Sequence, residues 1–93
     1  MEFEWDDNKN KKNILKHGLD FNDVKELFFD PERLKSPDLR KNYNEDRWIT
    51  IGKWKNIIIV SVYTLRDNKF RIISARLAKK SEREIYSNKG GAL

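Results

Sequence analysis

Apolar and polar positions along the chain follow a helical period up to about residue 30 and a strand period from residue 47 onward. FEW at 3–5 alternates aromatic and polar side chains, which predicts a short first strand. Asp6 or Asp7 then supplies an N-cap, placing negative charge at the positive end of a helix dipole, and Gly18 supplies the stop after His17. Over 20–29, Phe21, Val24, Leu27 and Phe28 share one helical face, and Asp30-Pro31 ends that element.

Residues 32–46 are polar and aperiodic, and predict a short strand over 33–36 followed by an exposed loop. Three strand-like runs come next: RWITIGKW, NIIIVSVYTLR and KFRIISARLA, parted by the turn-forming pairs KN and DN. The middle run is apolar nearly throughout, which suits a central strand covered on both faces, while its neighbours mix apolar and basic positions. SERE at 81–84 has the form of a capping box between Ser81 and Glu84, opening a short helix to about Ser87. The expected architecture is α+β: N-terminal helices packed on a small antiparallel β-sheet, with a short C-terminal helix. We expect a single domain over 1–88 and a disordered tail over 89–93, with no repeat and no linker.

Composition narrows the chemistry. At 93 residues the chain can bury one small core. It has no cysteine, which suits a cytoplasmic protein and removes thiol nucleophiles and thiolate metal sites. With one histidine, a zinc ion would depend mostly on carboxylates, so no metal and no cofactor are expected. The longest apolar run, IIIVSVYTL at 57–65, falls far short of the roughly 20 residues needed to span a bilayer, and no apolar signal region opens the chain. Twenty lysines and arginines against 15 acids give a formal charge of +5, which favours a polyanionic partner such as nucleic acid.

Three groups of residues can carry chemistry. On the first helix Lys9, Asn13, Lys16 and His17 fall within about one third of the circumference, with Ile14 and Leu15 opposite as the apolar anchors. Such a stripe is either a solvated face or a face turned to a ligand. Among the strand arginines Arg47, Arg66, Arg71 and Arg76, the guanidinium fork matches phosphate oxygens. Arg71 and Arg76 are an odd number of positions apart, so a regular strand points them to opposite faces unless a bulge redirects one. Glu45 and Arg47 make either a surface ion pair or the base and charge stabiliser of a phosphodiester-cleaving site. Tyr63 and Trp48 offer aromatic surfaces for bases or for packing.

FEWDDNKNKKNILKHG, together with Phe21, Phe28-Phe29-Asp30-Pro31, Glu45-Asp46-Arg47, VYTLR, RIISAR, Glu82-Arg83 and Tyr86, resembles the BrnT family of bacterial type II toxin–antitoxin toxins. The resemblance runs from Phe3 to about Tyr86 and is weak over 32–44. It implies a RelE-like fold and a metal-independent endoribonuclease that inhibits translation. The implied partner is a BrnA-type antitoxin whose ribbon-helix-helix part binds operator DNA, in a hetero-oligomer. Carried residue by residue, the polar signature falls on Trp5, Lys9, Asn13, Lys16, His17, Glu45, Arg47, Tyr63, Arg66, Arg71 and Arg76.

On this resemblance Arg66 and Arg76 would stabilise transition-state charge, with Glu45 or His17 as the acid–base group. Lys9, Lys16, Arg47, Arg71, Tyr63, Trp5 and Asn13 would contact substrate. The competing reading is a non-catalytic nucleic-acid-binding or protein-interaction module, including an inactive toxin that only binds its antitoxin. The two differ in whether the His17 stripe and the strand arginines meet on one surface.

Overall fold

The computed structural model describes residues 1–88; the tail expected over 89–93 lies outside the described residues. In order come β1 (Glu2–Glu4), α1 (Asp7–His17), α2 (Phe21–Val24), a 3₁₀ helix (Lys25–Phe29), β2 (Leu34–Pro37), β3 (Arg47–Trp54), β4 (Ile57–Arg66), β5 (Lys69–Leu77) and α3 (Lys80–Ser87). The sheet order is β1-β5-β4-β3-β2. It is a mixed sheet rather than the wholly antiparallel one expected: β2 to β5 pair antiparallel, and β1 lies parallel to β5. A tight hairpin forces antiparallel pairing, whereas β1 and β5 are joined through most of the chain and are free of that constraint.

Local signals act as the sequence suggests at most boundaries. The Asp6 carboxylate accepts hydrogen bonds from the Asn8 and Lys9 amides, and Gly18, at φ +69°, closes α1 by donating to the Ile14 carbonyl. Asp67 and Asn68 both take left-handed conformations in the two-residue turn between β4 and β5, a geometry that asparagine and aspartate tolerate. The segment expected as one helix over 20–29 is an α-helical turn running into the 3₁₀ helix. Phe21, Val24 and Leu27 recur every three residues, which suits the tighter winding. At the C-terminal end the cap is one turn fragment earlier than the expected Ser81–Glu84 box. The Glu82 carboxylate accepts the Lys79 amide, because the same carboxylate is anchored by Arg76.

Two cores form, one on each side of the sheet. On one face Phe21, Val24, Leu27 and Phe28 pack against Ile59, Tyr63 and Ile72, flanked by Phe3, Trp5 and Phe70. On the other, Tyr86 and Ala78 pack on Ile51 and Val60. Residues 59–64 of β4 are buried, as a strand with cover on both faces should be. Trp48 and Trp54 are half-buried against the first core, as packing residues.

The face by which α1 packs reverses the expectation. Ile14 and Leu15 are exposed, Leu15 at 88%, while Asn13 is buried. Asn13 donates to the Leu19 carbonyl and accepts the Ala75 amide; Asn10 accepts the Phe21 amide and donates to Asp20. β1 covers β5 only at Lys69, Phe70 and Arg71, so further along β5 has unpaired backbone groups. Satisfying those groups needs polar side chains, and that selects the asparagine seam. Leu15→Ala is therefore expected to change the unfolding free energy by no more than about 0.5 kcal/mol in urea titrations.

Candidate active site

A register shift decides which arginines meet. On β5, Ser74 pairs with Val62 and Ile72 with Tyr63, which leaves Ile73 as an extra residue. This bulge restores the parity that separates Arg71 from Arg76, so both project from the same face. Across that face Arg47, Thr64 and Arg71 form one row; Ile49, Val62 and Ser74 a second; Ile51, Val60 and Arg76 a third. Arg66 lies beyond the first row, paired with Lys69. All four strand arginines thus share the face opposite the N-terminal helices.

In the middle of this face lies a groove of about 280 Å³, lined by His17, Arg40, Ile49, Val62, Ser74 and Arg76, with Glu82 at its side. His17 reaches it from the C-terminal end of α1, which lies along the edge of β5. Arg76 makes a bidentate pair with Glu82, at 2.7 and 2.8 Å. Arg40 makes a second such pair with Asp38, at 2.8 and 2.9 Å. The hydrogen bonds that Arg76 donates to Glu82 raise its pKa above the ordinary value, while burial and the charge of nearby Arg40 oppose that rise. Each fork uses only part of its five N–H donors on its carboxylate, so both retain donors for an anion.

The partners are affected in the opposite sense. The Arg76 fork holds Glu82 down to about 2, and the Arg40 fork holds the fully buried Asp38 carboxylate down to about 2. Both folded values lie below the unfolded ones, so this stability is present above about pH 4.5 and is lost as the pH falls towards 2. We expect the urea midpoint to fall between pH 5 and pH 3, with each carboxylate contributing on the order of 2 kcal/mol. Glu82→Gln should flatten that profile.

The other sequence candidates divide by location. Glu45 accepts from Arg47 at 3.0 Å and from Arg66 at 3.0 Å, and these bonds lower its pKa. Both its oxygens are committed, so Glu45 organises two arginines and is poorly placed as a proton acceptor. Arg71 donates to Glu4 at 2.8 Å across the parallel pair. Lys9 and Lys16 are exposed on α1. Three candidates belong to the framework instead of the groove: Asn13 through its two buried bonds, Tyr63 through its place in the helix-side core against Phe28, and Trp5 through edge packing on Phe21. The stacking role expected for Tyr63 is thereby corrected, since its ring is 3% exposed and faces away from the arginines.

Sequence reasoning missed Arg40, Glu82 and Tyr43. Arg40 and Tyr43 lie in the aperiodic stretch where no pattern reports orientation. Glu82 stands in the Glu82-Arg83 motif, but its role shows only through its pairing with Arg76. Among the described residues, no group of three His, Asp or Glu side chains is placed to hold a metal, and no helix is long and apolar enough to cross a membrane.

Fold and groove together define a small basic α+β protein with an arginine-lined sheet face and one histidine lining its groove, a surface suited to a phosphodiester. The comparison with protein families is specific. The model of the ribonuclease toxin, BrnT, of type II toxin-antitoxin system matches residues 5–82, and the chain belongs to this family. A comparison with curated proteins found no match. Membership brings an antitoxin as partner and RNA as substrate.

Proposed function

We propose that residues 1–88 form one RelE-like toxin domain that cleaves RNA without a metal ion in the cytoplasm, and that the His17–Arg40–Arg76 groove is its active site. The observation that carries this reading is the convergence of the only histidine with two oriented guanidinium groups on the face that also holds Arg47, Arg66 and Arg71. The RNA 2′-oxygen attacks the adjacent phosphorus as its proton leaves, and the bond to the 5′-oxygen breaks as that oxygen gains a proton. His17 transfers one of these protons and water the other. Arg76 and Arg40 stabilise the extra negative charge on the phosphorus-bound oxygens, while Arg47, Arg66 and Arg71 hold the flanking strand. Lys9 and Lys16, exposed on α1, add to the positive charge that attracts RNA. A BrnA-type antitoxin with a ribbon-helix-helix part would silence the toxin in a hetero-oligomer by covering this face, and would carry it to operator DNA.

The test is cleavage of a labelled single-stranded RNA by purified, antitoxin-free protein in EDTA, with His17→Ala as the control. Cleavage that persists in EDTA and falls about 100-fold in the variant is expected. Cleavage abolished by EDTA, or unchanged in the variant, would sink the assignment. The occupation of Arg76 by Glu82 and of Arg47 and Arg66 by Glu45 favours one alternative, a toxin that binds RNA or antitoxin without cleaving. RNA binding with no cleavage of naked or ribosome-bound message would establish it.

A further inference from the structure

Beside the groove, the segment after β2 arches over a second hollow of about 510 Å³, lined among others by Tyr43, Asp46, Arg47 and Trp48. Its walls are aromatic and cationic in alternation. The Arg47 guanidinium lies 4.0 Å from the Tyr43 ring centroid, and Lys41 Nζ lies 5.4 Å from the same ring. The arch is anchored from below, because the Asp38 amide donates to the Arg47 carbonyl and the Asp38 carboxylate holds Arg40 of the groove. The hollow and the groove therefore share a wall.

Charge decides what the hollow can hold. Asp38, Glu45 and Asp46 stand there against Lys41 and Arg47, which disfavours a phosphate. Flat cationic and aromatic surfaces suit a nucleobase, whose face stacks on rings and on guanidinium planes. The three carboxylates are not equivalent. Asp38 is taken by Arg40, and Glu45 by Arg47 and Arg66, whereas Asp46 uses only its backbone carbonyl, which accepts from Thr64. The Asp46 carboxylate is a charged acceptor on the rim. It recognises the exocyclic amino group of a base and is repelled by a carbonyl at the same position.

We infer that the hollow beneath residues 38–46 is the subsite for the nucleobase next to the cleaved phosphate, with Tyr43 and Arg47 as stacking surfaces and Asp46 selecting an amino-bearing base over uracil. This rests on the nuclease reading for its place in the reaction, but binding tests it separately. Oligocytidine and oligouridine hexamers with 2′-O-methyl groups lack the attacking hydroxyl and differ at the base edge. Their affinities for the full chain can be compared by fluorescence anisotropy, with nitrogen-15 spectra reporting Tyr43.

Cytidine is expected to bind about tenfold more tightly than uridine and to shift the Tyr43 signal. Asp46→Ala should bring the two affinities together, since the Asp46 carboxylate makes no hydrogen bond or ion pair among the described residues. Tyr43→Leu should weaken both. Equal affinities in the wild type, a preference that survives Asp46→Ala, or binding without a shift at Tyr43 would each overturn the subsite even in an active nuclease. A cytidine preference that Asp46→Ala abolishes would sustain it even if RNA is not cleaved, in which case the nuclease reading alone falls.

Discussion

Arg76→Lys is expected to slow single-turnover RNA cleavage about 100-fold while the protein keeps its fold. Lysine preserves a positive charge opposite Glu82, so the carboxylate that caps α3 is not left buried without a partner. What lysine removes is the planar fork. Arg76 grips both Glu82 oxygens and still has N–H groups left to meet a second anion, whereas an ammonium has three donors on a flexible stem. The expected signature is a fall in the cleavage rate with a thermal midpoint close to wild type. An unchanged rate would place Arg76 outside the reaction and reduce the Arg76–Glu82 pair to an anchor for α3. Arg76→Ala is less informative, since it both empties the groove and strands Glu82.

Asn13→Ala is expected to have the largest effect on stability of any change in α1, a loss of about 2–4 kcal/mol in urea unfolding. The side chain accepts the Ala75 amide and donates to the Leu19 carbonyl, both in buried surroundings. Truncation leaves those two backbone groups without a partner where water enters poorly, and each carries a desolvation cost of about 1–3 kcal/mol. Cleavage should suffer as well, since the same seam sets where α1 ends and so where His17 enters the groove. A loss below about 1 kcal/mol would mean that water replaces the amide, and would remove the reason for calling α1 a polar-packed helix. The contrast with Leu15→Ala is diagnostic: the polar substitution is damaging and the apolar one is not.

Much of the local structure was legible because it depends on neighbours in sequence. The Asp6 and Gly18 caps, the Asp67-Asn68 turn, the central position of β4 and the end of the second helical segment at Asp30 each follow from residue type at a given spacing. The family was legible from ordered motifs, and its model covers residues 5–82. The packing face of α1 was not, because hydrophobic periodicity assumes an apolar contact, while this helix meets an unpaired strand edge. The direction of β1 was not, because no short turn fixes it. Arg40 and Tyr43 escaped notice because residues between β2 and β3 have no repeating period from which to read a face.

By itself, then, the sequence determined the kinds of element, their order and the chemical inventory: one histidine, no cysteine and arginines at intervals along three strands. These are consequences of short-range sterics, capping and side-chain chemistry. Tertiary structure decided which members of that inventory meet. A single extra residue at Ile73 turns Arg71 and Arg76 to one face, and the open edge of β5 draws Asn13 inward and carries His17 to the groove. Side-chain direction in a sheet alternates with every residue, so one bulge reverses all that follows it, and only pairing with the neighbouring strand reveals where that bulge falls.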